Sequence, residues 1–143
     1  MSRDHIRDVQ EKRAMSMPQA RVLLVHEDAR LLAHNQALLW HAGCKVTACS
    51  NWDDEVRCLE SGLWHLVIVS QGTRAFEGKR VLERAIEMDR YTPVIVLARW
   101  CEMSCYVTAM HLGALDYVEE PLSTPQLVRI VEAYARKRAT VVQ

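Results

Sequence analysis

The amino-acid sequence predicts an α/β fold in which helices cover both faces of a parallel sheet. Short apolar runs alternate along the chain with stretches whose apolar residues recur at helical spacing. Several of the runs are almost continuously apolar, as expected of strands that are buried on both sides. About five such units within about 120 residues predict a flavodoxin-like three-layer sandwich, with a five-stranded sheet in the order 2-1-3-4-5 and five helices.

Each predicted strand is a short apolar run that ends at a polar residue or a turn. The proline of the fourth run lies at its start, where a missing backbone amide is tolerated. The runs are RVLLV (21–25), KVTAC (45–49), HLVIVS (65–70), PVIVLA (93–98) and LDYVE (115–119).

The predicted helices follow the strands, and their ends carry recognisable residues. Gly43, Gly62 and Gly113 stand where a helix is expected to end, in the left-handed position that glycine favours. Thr124 is expected to cap the last helix, with Pro125 in its first turn. The helical stretches are EDARLLAHNQALLWHAG, WDDEVRCLESG, GKRVLERAIEMD, EMSCYVTAMHLG and STPQLVRIVEAYARKR.

Composition and charge exclude several classes of function. The chain has 143 residues, and its 18 basic and 18 acidic residues give no net charge, so no overall field attracts nucleic acid or an anionic membrane. No apolar run approaches the roughly 20 residues of a membrane span, and the first 20 residues lack the apolar core of a secretory signal. We therefore expect a cytoplasmic protein that binds neither nucleic acid nor a membrane.

The organisation is that of one domain with two short extensions. Residues 1–19 are charged and weakly periodic and predict a flexible N-terminal arm, residues 20–138 form the domain, and residues 139–143 form a C-terminal tail. The odd number of cysteines, at irregular spacing, argues against a disulfide framework and favours reduced, mostly buried thiols. The five cysteines are Cys44, Cys49, Cys58, Cys101 and Cys105.

Over residues 20–138 the sequence resembles the receiver domain of bacterial two-component response regulators, the chemotaxis-type fold. RVLLVHED resembles the family's first strand and acidic pair, and TPVIVLA resembles its fourth strand. VIVSQGTRAFEG resembles the third strand and its loop, with Gly78 eight residues after Ser70. GALDYVEEP resembles the family's run of Gly-Ala, an aromatic residue and a lysine–proline pair. The resemblance also implies a cis Glu120–Pro121 peptide.

The chain departs from the family at the positions that carry phosphorylation chemistry. The family's phosphoacceptor aspartate is Ser70 here, its magnesium-binding acidic pair is His26 and Glu27, its fourth-strand hydroxyl residue is Ala98, and its lysine is Glu120. Phosphoryl transfer needs an attacking carboxylate, a metal and a cation, and serine is a poor nucleophile without an adjacent base. We therefore predict a pseudo-receiver in which Ser70 is not phosphorylated and instead caps the strand end by hydrogen bonding.

Two other interpretations concern the same pocket. His26, Glu27, Asp28 and Glu120 could converge on a metal or a small ligand, unless His26 and Glu120 pair with each other in place of the lysine contacts. A hydrolase could use Ser70 with His26 as base, but it would lack an orienting acid, an oxyanion hole and the G-x-S-x-G elbow. We expect no enzymatic activity, no cofactor and no bound metal.

Signal output is expected to pass through protein contacts. No segment after Arg138 is long enough for an output domain, so a stand-alone domain would act on a sensor kinase, an output protein or a second copy of itself. The resemblance implies the face of residues 102–138, with Tyr117 at the family's switch aromatic and its ring turned inward toward Ala98. The candidate switch and interface residues are Trp100, Met103, Tyr106, Tyr117 and Arg129.

Overall fold

A computed structural model describes residues 19–60 and 62–136, and these residues form one parallel sheet between two layers of helices. Residues 1–18, most of the predicted arm, and the tail lie outside the described residues. The strands are β1 (Arg21–Val25), β2 (Lys45–Cys49), β3 (Leu66–Ser70), β4 (Val94–Ala98) and β5 (Asp116–Glu119). The helices are α1 (Ala29–His41), α2 (Trp52–Glu60), α3 (Lys79–Met88), α4 (Met103–Leu112) and α5 (Thr124–Ile130), and a π-helical segment, Val131–Arg136, continues from α5.

The strand order is β2-β1-β3-β4-β5, so the predicted flavodoxin-like order is confirmed. Each pair of neighbours is parallel, with Val25 opposite both Cys49 and Val69, and Ala98 opposite Glu119. The carboxyl ends of all the described strands therefore meet at one edge of the sheet, where ligands and chemistry are found in open α/β folds.

Alternate residues of the central strands supply two separate apolar layers. One face of the sheet packs against α2, α3 and α4 through residues such as Leu59, Leu82 and Ala109. The other face packs against α1 and α5 through Leu39 and Leu127. Every residue of β3 and β4 is buried, which explains why their sequences lack a polar alternation.

The helix ends agree with the sequence in part. Ser123, not Thr124, caps α5: its hydroxyl oxygen accepts from the Gln126 amide, and the Gln126 side chain accepts from the Ser123 amide. The expectation for Thr124 was one residue late because this reciprocal box satisfies two amides and a single cap satisfies one. Pro125 lies in the first turn, as predicted.

The backbone conformation tests the predictions made for three glycines and one proline. The left-handed conformation is present at Gly43 (φ 86°) and Gly113 (φ 110°). It is not found at Gly62, where the chain passes through a bend. The Glu120–Pro121 peptide is cis, as predicted.

Among the described residues, none of the helices is long and apolar enough to cross a membrane.

Candidate functional site

The candidate site lies at the carboxyl edge of the sheet. His26 follows β1, Ser70 and Ala98 end β3 and β4, and Glu120 follows β5. Parallel strands bring these positions together although they are far apart in sequence. The four positions that correspond to the phosphorylation site of the receiver family therefore lie together in this structure. The chemistry of the site depends on the side chains at these positions.

His26 and Glu120 form a buried pair at the centre of this edge. The Nε2 atom of His26 lies 2.8 Å from Oε1 and 3.0 Å from Oε2 of Glu120, and the two side chains are 0% and 1% exposed. The backbone amide of Asp28 donates to Nδ1 of His26 at 3.0 Å. Since Nδ1 is an acceptor, the ring proton is assigned to Nε2, from which it is donated to the carboxylate.

A third side chain completes the binding of the Glu120 carboxylate. The Nδ2 group of Asn35, which is buried on α1, donates to Oε2 of Glu120 at 3.4 Å. The backbone of Glu120 is also fixed, because its amide donates to the carbonyl oxygen of Ala98 at 2.8 Å. A buried carboxylate needs such donors to offset its lost hydration. The pairing that the sequence left as an alternative to a ligand site is thus present.

The remaining acidic residues of the pocket are used by the protein itself. Asp28 caps α1 and accepts from the amides of Leu31 and Arg30, and it forms a close ion pair with Arg99. The hydrogen bond from the Leu31 backbone amide is the main cause that lowers the pKa of Asp28. The hydrogen bond from the Arg30 amide and the contact with Arg99 lower it further. Glu27 points back to His26, with its Oε2 atom 3.4 Å from Nδ1.

These contacts bear on the alternative of a metal or ligand site. The four residues do not converge on a shared point. His26 and Glu120 form a buried pair, Asp28 caps a helix, and Glu27 is a carboxylate at the surface. Within residues 19–60 and 62–136, the structure contains no group of three or more histidine, cysteine, aspartate or glutamate side chains that could hold a metal ion. The contact that the geometry shows in this pocket is the internal pair of His26 and Glu120.

Ser70 is buried at the end of β3, and its Oγ atom accepts a hydrogen bond from the Gly72 amide at 3.2 Å. This is the capping bond that the sequence analysis predicted. Both ring nitrogens of His26 already have partners, Asp28 at Nδ1 and Glu120 at Nε2. Neither nitrogen is therefore placed to serve Ser70 as a general base, which a serine nucleophile needs.

The loop from Ser70 to Gly78 closes tightly on itself. The Gly78 amide donates to the carbonyl oxygen of Gln71 at 3.2 Å, and a Cβ atom at Gly78 would lie 2.1 Å from the carbonyl oxygen of Ser70. Only glycine fits there without a shift of the backbone. Phe76 has a φ of 54°, an uncommon value for a bulky residue, and its ring is buried.

The ring of Tyr117 is half-buried against the apolar layer, and its hydroxyl joins two loops. Its predicted direction toward Ala98 stays a prediction. The hydroxyl donates to Oε1 of Gln71 and accepts from the Glu102 amide at 3.1 Å. The half-buried ring packs edge-on against Tyr106, with ring centroids 5.6 Å apart. Burial raises the pKa of the Tyr117 hydroxyl, so it keeps its proton and remains a donor at neutral pH.

The sequence reasoning missed Asn35, Gln71 and Arg99. Asn35 carried a usable signal, because it stands on the α1 stripe with Leu32 and Leu39, where helical spacing predicts an apolar residue. Gln71 and Arg99 directly follow β3 and β4 but have no distinguishing pattern. Their contacts, Gln71 with Tyr117 and Arg99 with Asp28, depend on how the loops fold and are visible only in the structure.

Trp100 stands over this edge between two shallow cavities. Its side chain is among the most exposed large apolar groups of the described residues. One cavity, of about 370 Å³, extends toward Arg74 and Glu102, and the other, of about 410 Å³, extends toward Arg30 and Pro121. Trp100 thus lies beside the remodelled pocket and forms part of both cavity walls.

The outer side of α4 carries an apolar stripe. Met103, Tyr106, Val107 and Met110 are all exposed, and they recur at the i, i+3, i+4, i+7 spacing of one helical face. The opposite side of α4 supplies Cys105 and Ala109 to the core. Leu115, which follows the helix, and Val128 of α5 are exposed as well, and so is Arg129, the next residue in sequence after Val128.

Comparisons with known proteins agree with this fold. No protein-family model matches the chain. The chain is 30% identical over 120 residues to the transcriptional regulatory protein DltR of Streptococcus agalactiae, an alignment that covers 83% of this chain and 54% of DltR. The chain spans about half the length of the first curated relatives that it matches.

Solved receiver domains have the same architecture. The response regulator receiver domain protein from Clostridium thermocellum has a TM-score of 0.76 at 20% identity, covering 87% of this chain and 99% of that one. The CheY-like receiver domain protein from Methanospirillum hungatei has a TM-score of 0.75 at 19% identity, with 80% and 92% covered. The fold implied by the resemblance is therefore confirmed: the chain has the architecture of receiver domains, and its sequence is similar to those of response regulators.

Proposed function

We propose that the chain is a non-enzymatic pseudo-receiver, which acts in cytoplasmic signal transduction by binding a protein and is not phosphorylated at Ser70. The observation that carries this proposal is the buried pair of His26 and Glu120. In this pair, the carboxylate of Glu120 occupies the position at which receiver domains have the lysine that contacts the phosphoryl group. A hydroxyl, moreover, replaces the carboxylate nucleophile at Ser70.

The electrostatics of this arrangement oppose a phosphoryl group. At an effective dielectric constant of about 20, two like unit charges about 4 Å apart repel each other by about 4 kcal/mol. The donors nearest to Glu120, from His26 and Asn35, are already used to bind it. A phosphoryl group on Ser70 would therefore meet a carboxylate and find no free cation among these partners.

The test is treatment with Mg²⁺ and acetyl phosphate, followed by intact-mass spectrometry. We expect no phosphoryl adduct on the natural chain. Ser70→Asp alone should also stay unmodified, because the new carboxylate would lie in an acidic pocket and tend to protonate. Ser70→Asp combined with Glu120→Lys should give the largest adduct yield. A phosphoryl adduct mapped to Ser70 of the natural chain would refute the proposal, and one on Asp28 would show that another carboxylate had taken over the chemistry.

The second part of the proposal concerns the surface that transmits the signal. We infer that the apolar stripe of α4, with Leu115 and Val128, binds a sensor kinase, an output protein or a second copy of the chain. Solvated helices normally present polar residues outward, and exposed apolar patches mark interaction sites. The two most exposed side chains of the stripe are Met103 and Val107.

Sedimentation of the purified chain over a range of concentrations tests the second-copy case. If the chain self-associates, Met103→Glu should weaken association at least tenfold, because it places a charge in an apolar contact. Ser104→Glu is the matched control, since Ser104 is an exposed neighbour off the stripe. If the chain is monomeric, the same pair of variants is compared for binding to a candidate kinase or output protein. Equal binding by both variants would show that the apolar stripe of α4 is not the binding surface.

A further inference from the structure

Two thiols near the carboxyl end of the sheet lie within reach of each other. Cys49 ends β2 and Cys58 lies on α2, and their Sγ atoms are 2.9 Å apart. Neither cysteine is part of a disulfide bond. A disulfide bond is about 2.05 Å long, so the sulfur atoms need to approach by only roughly 1 Å to be joined.

The two cysteine residues differ in burial. Cys49 is buried, whereas Cys58 is partly exposed at the edge of the apolar layer formed with α2. Burial, the contact with Cys58 and the charges of Glu55 and Asp54 raise the pKa of Cys49 to about 12. Cys49 therefore remains a protonated thiol at neutral pH, and an oxidant in solution meets Cys58 first.

We propose that Cys49 and Cys58 form a redox-sensitive dithiol site, which a peroxide oxidises to an intramolecular disulfide. The inference does not depend on the proposed signalling role. It rests on the contact between the two sulfur atoms and on their unequal exposure.

The reaction balances in two steps. The Cys58 thiolate attacks one oxygen of hydrogen peroxide, the O–O bond breaks, and the other oxygen leaves as hydroxide, which is protonated to water. Cys58 is then a sulfenic acid. The Cys49 sulfur attacks the Cys58 sulfur, the S–O bond breaks, and the hydroxyl takes the Cys49 proton and leaves as water. The two thiols lose two electrons in total, and the peroxide is reduced to water.

The disulfide would tie α2 to the end of β2 beside the remodelled pocket. The carbonyl oxygen of Cys49 accepts a hydrogen bond from the His26 amide at 3.0 Å. Oxidation would therefore restrain the end of β2, whose last residue, Cys49, is hydrogen-bonded to the backbone of His26. This location places the dithiol next to the buried pair, although neither sulfur belongs to it.

The chain offers a direct way to map the bond. Trypsin cuts after Lys45, Arg57 and Arg74, which places Cys49 and Cys58 on separate peptides, 46–57 and 58–74. The reduced protein is treated with hydrogen peroxide, then denatured and alkylated so that burial does not protect any thiol. We expect a linked pair of these peptides that disappears after dithiothreitol treatment, with equal losses of alkylated Cys49 and Cys58.

Variants separate this bond from general oxidation. Cys101→Ser removes a fully exposed thiol and should leave the linked peptides unchanged. Cys58→Ser should abolish the link and return Cys49 alkylation to the untreated level. If Cys58→Ser does not fold, peptide mapping of the natural chain still decides. Oxidation of Cys58 to sulfenic or sulfinic acid with Cys49 fully alkylated would overturn the proposal, as would a dominant link from Cys58 to Cys101.

Discussion

The remodelled pocket and the outer face of α4 depart in opposite ways from the usual distribution of polar and apolar groups. In the pocket, His26 and Glu120 are polar and fully buried. On α4, Met103 and Val107 are apolar and largely exposed. A buried polar pair needs every donor and acceptor to be matched, whereas an exposed apolar stripe lacks a matching surface until a partner covers it.

The outer face of the neighbouring helix α3 differs from that of α4. The outer face of α3 carries charged pairs: Arg84 lies 2.8 Å from Glu60 and 3.3 Å from Glu87, and Lys79 lies 3.6 Å from Glu83. Both helices have ten residues and contribute to the same apolar layer. The difference between their outer faces therefore points to binding by α4 and to solvation of α3.

The largest expected effect comes from breaking the buried pair. His26→Leu would leave the Glu120 carboxylate buried with only the longer bond from Asn35, and a buried charge that loses its partner costs about 3–5 kcal/mol. Urea denaturation should show this decrease in the free energy of unfolding. His41→Leu, at an exposed position at the end of α1, is the control and should change stability by less than about 0.5 kcal/mol.

The double variant His26→Leu, Glu120→Leu sharpens the same test. Removing both polar groups leaves no unpaired charge, so its cost should be smaller than that of His26→Leu alone. A difference of about 0.5–3 kcal/mol between the double variant and the sum of the single variants would measure the coupling of the pair. Additive effects would mean that the two side chains do not stabilise each other.

How much of this the sequence predicts differs between the two regions. Apolar runs and helix-ending residues predicted the fold and the strand order, because burial on two faces leaves a strong pattern. The pairing of His26 with Glu120 stayed one of two alternatives, because a sequence gives the proximity of strand ends but not the direction of side chains. The bond from Tyr117 to Gln71 was not predicted, since it depends on the fold of a loop.

A smaller effect is expected from filling the space at Gly78 beneath the pocket. Gly78→Ala would place Cβ 2.1 Å from the backbone oxygen of Ser70, and overpacking of this kind typically costs about 1–3 kcal/mol. Gly62→Ala is the matched control, because the closest atom to its Cβ would be the end of the flexible Arg21 side chain at 2.9 Å. Thermal melts should show a clear loss for Gly78→Ala only; equal losses would mean that the loop is not rigidly packed.

The α4 face should tolerate substitutions that the pocket does not. Met103→Glu and Val107→Lys change exposed side chains, so each should alter the free energy of unfolding by about 0.5 kcal/mol or less. Urea denaturation at low protein concentration, where association is minimal, measures this directly. A loss above about 2 kcal/mol would show that the stripe belongs to the core of the chain and would remove the reason to regard it as a binding surface.

The smallest expected effect concerns pH and the charge on Asp28. Hydrogen bonds from the Leu31 and Arg30 amides, with the nearby Arg99, hold the pKa of Asp28 below its ordinary value of 3.8. A carboxylate whose folded-state pKa is lowered contributes stability above its unfolded pKa, and this contribution is lost as the pH falls through the folded pKa. Asp28→Asn keeps a capping oxygen but has no carboxylate to titrate. Its stability relative to the natural chain should therefore be lower at pH 7 than at pH 2. A constant difference between the two proteins over this range would show that the charge of Asp28, unlike the buried pair beside it, contributes nothing to the stability of the pocket.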